Sequence, residues 1–288
     1  MPSVDESTLL LADAAFQSAG AVVLGALVLG WARSGTWRNP LRGSSLEQAG
    51  PTLVHVLAVL AAFYVLSVAL VSSVRVDRAA AARSGSDAWH TIQAIDAGAK
   101  LAVCVLMLFV LHYFRTGGAP ARSGLGLTRS LAAGGAAAAV VAAVSCLQLE
   151  MTRVIWQWLQ PRAEPPVHDV LTAIARSAWG PWGVALLTVT AILVAPLAEE
   201  LFFRGLLLPA LWHRLRHAWL AIALSAAAFG FIHISLPQTV LPLVCMGIVL
   251  GYLRVRYRSL AACVVAHALF NARTIVLALL GPDLATAT

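Results

Sequence analysis

The chain has 288 residues, of which 60% are hydrophobic and 11% charged, and its mean hydropathy is +0.82. Soluble domains hold roughly 45–50% apolar and about 25% charged residues, so too few charges are present to cover a globular surface, and the chain reads as an all-α polytopic membrane protein. The same hydrophobicity, with only 4 Cys and no CxxC pair, excludes a disordered chain and a disulfide-stapled secreted fold. A net charge of +7 would suggest nucleic acid in a soluble protein. In a membrane protein, basic loops fix topology instead, and no nucleic-acid partner is expected.

The first segment, MPSVDESTLL, carries Asp5 and Glu6 and no basic residue. It lacks the positive n-region of a signal peptide, so the first apolar run is expected to stay as a membrane span. A spanning helix needs about 20 mostly apolar residues. Eight runs qualify: Ala14–Trp31, Thr52–Val74, Ile95–Phe114, Leu131–Leu149, Pro181–Ala198, Ala218–Ile234, Leu236–Leu253 and Leu260–Leu280. Backbone groups in lipid must satisfy one another, so these are expected to be helices. The alternating strands of a membrane barrel are absent.

Details of the runs refine this reading. Asp96 and Lys100 fall in the first turns of the third span and are expected to snorkel. The Ala-rich stretch Leu131–Val144 allows close helix packing through small residues. Between Glu150 and Ala178, RVIWQWLQ predicts a short interfacial helix and PRAEPP a stiff turn. The fifth run is interrupted by Glu199 and Glu200 and then resumes as LFFRGLLLPALW. Cys104, Cys146, Cys245 and Cys263 each sit in an apolar run and read as small buried hydrophobes.

Arginine placement sets an expected orientation. Arg33, Arg38, Arg42, Arg115, Arg122, Arg129, Arg204, Arg214, Arg216, Arg254, Arg256 and Arg258 fall on one side; most acids, including Asp5, Glu6, Asp13, Glu150 and Asp283, fall on the other. The basic side is expected to face the cytoplasm, with both termini outside. Lys100 is the only Lys, and Ala is abundant. That composition suggests a bacterial chain, and hence the inner membrane.

Ionisable residues inside apolar runs carry the functional signal, because each costs at least roughly 2.5–3.5 kcal/mol at mid-bilayer. Three clusters occur, all in the C-terminal half. In APLAEELFFRG, Glu200 and Arg204 share a helix face and can pair. Glu199 points about 100° away, so one carboxylate can be neutralised while the other stays free. Pro196 predicts a kink. In AFGFIHI, Phe229 and His233 share a face. In AHALFNAR, His267 and Asn271 share a face, with Arg273 nearby. Each cluster alone could be a helix end in water or a helix–helix hydrogen bond. Together they supply the parts for amide hydrolysis: a carboxylate to take a proton from water, an imidazole to orient it, and two donors for an oxyanion. No HExxH helix and no GxSxG elbow is present.

These residues resemble a known family. EExxxR (Glu199, Glu200, Arg204), FxxxH (Phe229, His233) and HxxxN (His267, Asn271) occur in order, as in the CPBP family of intramembrane proteases, also called the Abi or CAAX-protease-like family. The resemblance covers about Pro181–Leu280. It implies a bundle of about eight helices around a cavity, in which Glu199 and His233 activate water and His267 and Asn271 form the oxyanion site. Glu200 and Arg204 would be structural partners, and Phe229 would line the site. The resulting organisation is one continuous membrane domain, with N-terminal spans in 1–130 and the catalytic core in 131–288.

The expected partners are the bilayer and a membrane-anchored protein or peptide substrate: a C-terminal sorting signal, a lipidated peptide or a propeptide. No cofactor is expected. A zinc-dependent version of the same protease would hold its metal with Glu199, His233 and His267, against which Asn in HxxxN speaks. A non-catalytic peptide-binding or immunity protein would use the same cavity without chemistry, and the intact Glu199 speaks against it. A proton-coupled transporter would use Glu199 and His233 as a relay, but the first four spans largely lack the charges of a through-pathway. One difficulty is depth: His233 lies sixteen residues past His217, about 24 Å along an ideal helix, which sets it deeper than Glu199 and His267.

Overall fold

The computed structural model describes residues 6–34, 41, 50–72, 87–116, 125–160 and 180–280. Among the described residues there are eight helices and no strand: α1 (Glu6–Arg33), α2 (Leu53–Ser72), α3 (Asp87–Thr116), α4 (Leu127–Leu159), α5 (Gly180–Leu215), α6 (Ala218–Phe231), α7 (Pro237–Tyr257) and α8 (Leu260–Leu280). Seven of them are long and apolar enough to cross a membrane. The chain is an integral membrane protein of all-α class.

The exception is α6. Apolar residues continue to Ile234, which extends the sequence-predicted span, but the helix ends at Phe231 and turns follow through His233. Its 14 residues reach about 21 Å, short of the roughly 30 Å hydrocarbon core. Gly230 permits the close approach that shapes this end: a Cβ there would stand 2.4 Å from a methyl of Val244 and 2.9 Å from the carbonyl of Val240, both on α7. Pro237 then opens α7, where its missing N–H costs nothing.

Two predicted breaks are absent. The segment Arg153–Leu159 continues α4 rather than forming a separate interfacial helix. PRAEPP, and with it Arg162 and Glu164, lies outside the described residues. The run broken by Glu199 and Glu200 is one helix, α5, of 36 residues. In α3, which begins at Asp87, Asp96 and Lys100 pair with each other one turn apart instead of each reaching outward alone.

The packing is organised around α5. On one side Leu201, Leu206 and Ala210 meet Val56 and Val59 of α2 and Val103, Cys104 and Met107 of α3. On the other, Phe203 meets Ala137 and Val141 of α4, Phe229 of α6, Met246 and Leu250 of α7, and Cys263 and Ala266 of α8. The Ala-rich face of α4 does what small residues allow. A Cβ on Gly134 would fall 2.8 Å from the Ala262 carbonyl of α8, and a buried Ser130–Ser259 hydroxyl pair at 2.8 Å ties the two helix starts. Cys104 and Cys263 are buried and all four cysteines are free thiols.

Candidate active site

The site begins with an irregular α5. Between Gly180 and Leu215 the helix widens twice into π turns, at Thr190–Val194 and Leu201–Leu207, with the six-residue α segment APLAEE between them. The predicted kink at Pro196 is thus absorbed as a widened turn just before the proline. Wide turns of this kind re-aim side chains and recur at functional sites.

Glu199 and Glu200 diverge as the helix geometry requires. Glu200 is 0% exposed; Glu199 keeps 25% of its side-chain surface. Glu200 Oε1 accepts from Arg204 at 2.7 Å and from His267 Nδ1 at 2.8 Å. Arg204 is itself buried. Its second amino group reaches the Gly247 carbonyl at 3.4 Å, and its guanidinium lies 4.7 Å from the centre of the Phe229 ring. A buried charge pair is tolerated only when its remaining groups are bonded, and Gly247 and Phe229 supply that on the arginine side.

A carboxylate only accepts, so His267 donates through Nδ1. That turns Nε2 toward Glu199, whose Oε2 is 3.8 Å away. The distance is too long for a direct hydrogen bond, and one oxygen atom lying beside both can touch both. His233 is oriented in the same way. Its Nδ1 donates to the Phe229 carbonyl at 3.0 Å, leaving Nε2 with the lone pair. The Phe229 ring makes an edge contact with each imidazole, its centre 5.4 Å from that of His233 and 5.6 Å from that of His267.

On the depth of His233, α6 is capped at its start by His217, which accepts from the Leu220 amide, and ends at Phe231, so His233 lies in the turn beyond the helix and not sixteen residues along an ideal one. Its link to the rest of the cluster is the Phe229 ring, which it shares with His267.

Two other assignments acquire unexpected partners. Asn271 sits one turn beyond His267, and its Nδ2 donates to the Ala191 carbonyl of α5 at 2.9 Å. Arg273, counted with His267 and Asn271 in the sequence, belongs elsewhere. It forms a two-pronged pair with Asp13 of α1, at 2.5 and 2.8 Å, both side chains being at most 14% exposed. Sequence reasoning missed Asp13, which it counted as an outer acid, and Arg254, whose Nε donates to the Arg204 carbonyl at 3.2 Å.

Among the described residues no group of three His, Cys, Asp or Glu side chains is placed to hold a metal ion.

Residues 181–273 match the family model described as Rce1-like, type II CAAX prenyl endopeptidase. The resemblance to CAAX-protease-like proteins is thereby shown for this segment. The match begins near the start of α5 and ends in α8, so it encloses all three motifs and every contact of the glutamate–histidine cluster. No curated protein and no solved structure matches the chain. The CAAX-protease-like match supports an intramembrane protease acting on a membrane-associated peptide.

Proposed function

We propose that the chain is an intramembrane endopeptidase that hydrolyses a peptide bond in a membrane-anchored substrate without a metal ion. The observation that carries this reading is the division of labour between adjacent glutamates. Glu200 is consumed by Arg204 and by His267 Nδ1, whereas Glu199 keeps an accessible carboxylate facing His267 Nε2. A free carboxylate beside a fixed imidazole is what general-base activation of water requires.

In this mechanism Glu199 takes a proton from the attacking water, and His233, with Nε2 unencumbered, orients that water. Attack on the scissile carbonyl gives a tetrahedral oxyanion. His267 Nε2, when protonated, and the second amide N–H of Asn271 donate to it. Glu199 then returns the proton to the leaving amine. Sorting signals, lipidated peptides and propeptides are the substrate classes that reach such a site from the bilayer. The proposed setting is a bacterial inner membrane with both termini outside.

The test is co-expression with tagged candidate substrates of these three classes. Wild type is expected to shorten one of them, and Glu199→Ala and His267→Ala to leave it intact. Equal cleavage by Glu199→Ala would remove the base from the mechanism. A peptide retained intact and bound by wild type would favour a binding or immunity protein instead.

A further inference from the structure

Each widened turn of α5 stops one residue short of a proline, and each proline leaves one carbonyl without a donor. In the first turn the Ala195 amide reaches back five residues to the Thr190 carbonyl. The next donor in that register would be residue 196, a proline with no N–H, so the Ala191 carbonyl is left over. In the second turn the Leu208 amide reaches back five residues to the Phe203 carbonyl. The next donor would be Pro209, and the Arg204 carbonyl is left over.

Both leftover carbonyls are taken by a side chain from another helix. Asn271 Nδ2 of α8 meets Ala191 at 2.9 Å, and Arg254 Nε of α7 meets Arg204 at 3.2 Å. The two arrangements come from different helices and use different donors, yet they answer the same deficit. An unpaired carbonyl inside a membrane protein is costly, because no bulk water can replace the lost donor.

We propose that Arg254 and Asn271 are positioning residues that clamp the two proline-freed carbonyls and so fix the register of α5 between them. The clamped stretch carries Glu199, Glu200 and Arg204. If either wide turn relaxed to ordinary α geometry, the stretch would rotate by about 100° against the rest of the helix and carry Glu199 away from His267. Asn271 thereby has two tasks, one N–H on the helix and one toward substrate, whereas Arg254 is given no task toward substrate. The consequence for cleavage rests on the protease reading; the clamp itself does not.

The test exploits the prolines. Replacing Pro209 by Ala supplies the missing backbone donor to Arg204, and Pro196→Ala does the same for Ala191. Amide hydrogen exchange of the full chain in detergent is read over 190–212, alongside cleavage of a tagged membrane-anchored peptide. Arg254→Ala is expected to raise exchange around 203–209 and to lower cleavage by about tenfold, the scale set by one unpaired buried carbonyl. Arg254→Ala with Pro209→Ala restores both, and Pro209→Ala alone behaves as wild type. Asn271→Ala raises exchange around 190–196; adding Pro196→Ala restores protection but not cleavage, since the substrate-facing N–H stays absent.

Unchanged exchange in Arg254→Ala, or a loss that Pro209→Ala does not repair, would overturn the clamp. Should Arg254→Ala fail to fold, the double variant must fold, and its failure would count equally against the proposal. If the protease reading is wrong, cleavage is absent in every variant while the exchange pattern still reports the clamp.

Discussion

Glu200 Oε1 receives two hydrogen bonds, one from Arg204 on its own helix and one from His267 Nδ1 on α8. A single buried oxygen thus couples the EExxxR and HxxxN motifs and decides which imidazole nitrogen faces Glu199. Glu200→Ala removes that oxygen and leaves Arg204, 1% exposed, without its anion. Breaking one partner of a buried pair costs about 3–5 kcal/mol, so the variant is expected to unfold at clearly lower temperature. Glu200→Met with Arg204→Met should recover much of that stability yet stay inactive, because His267 has lost its anchor. Thermal unfolding in detergent, paired with a cleavage assay, separates the two effects.

The Asp13–Arg273 pair joins α1 to α8 two residues beyond Asn271. Either Asp13→Ala or Arg273→Ala strands a mostly buried charge, and a loss of about 3 kcal/mol is expected. Exchanging the charges, Asp13→Arg with Arg273→Asp, should regain part of it. Melting temperatures of the four proteins check this; equal melting of the single variants and wild type would show that α1 is not anchored through the pair.

Much of this was legible beforehand, and the failures have physical causes. Glu200 and Arg204 pair at four-residue spacing, a local relationship that helix geometry reveals. The approach of His267 to both glutamates is tertiary: the complementary chemistry of the three clusters, and then the family resemblance, put Glu199 and His267 in one site in advance, but neither foresaw Glu200 as the anchor of His267. Asp13 was unreadable as a site residue because its partner lies 260 positions away. The end of α6 was hidden because Phe231, Ile232 and Ile234 are apolar; hydropathy sees lipid exposure, and these are exposed side chains, the first at the last helical residue and the other two in the turn beyond it. The wide turns of α5 left one trace, Pro196 and Pro209, which without coordinates indicates only a kink.

Arg216 and Arg258 end α5 and α7 in the left-handed conformation, with φ of 55° and 54°. Such helix ends favour glycine, and a side chain there costs roughly 1 kcal/mol. Arg216→Gly and Arg258→Gly are each expected to be neutral or stabilising by up to about 1 kcal/mol, read as a small rise in melting temperature. A fall of several degrees would mean that the guanidinium outweighs the backbone strain.

Gly247 is one point of close contact of α7 with α6: a Cβ there would sit 2.8 Å from both Cα and Cβ of Ala226, and its carbonyl receives Arg204. Gly247→Leu must push the helices apart. Overpacking costs typically about 1–3 kcal/mol, and here it also pulls the acceptor from Arg204. Lower melting temperature together with reduced cleavage is expected, against little change for Gly25→Leu on α1, where a Cβ meets nothing within 4 Å.

The central claim is that Glu199 is the base and that no metal is needed. Its most direct test uses purified protein reconstituted with a tagged membrane-anchored peptide that wild type cleaves. Glu199→Gln keeps size and hydrogen bonding but cannot take a proton, and it is assayed beside wild type with and without a strong zinc chelator. The account expects cleavage to vanish in Glu199→Gln, with unchanged melting temperature, and to survive the chelator in wild type. Cleavage retained by Glu199→Gln, or abolished by the chelator and restored by zinc, would contradict it.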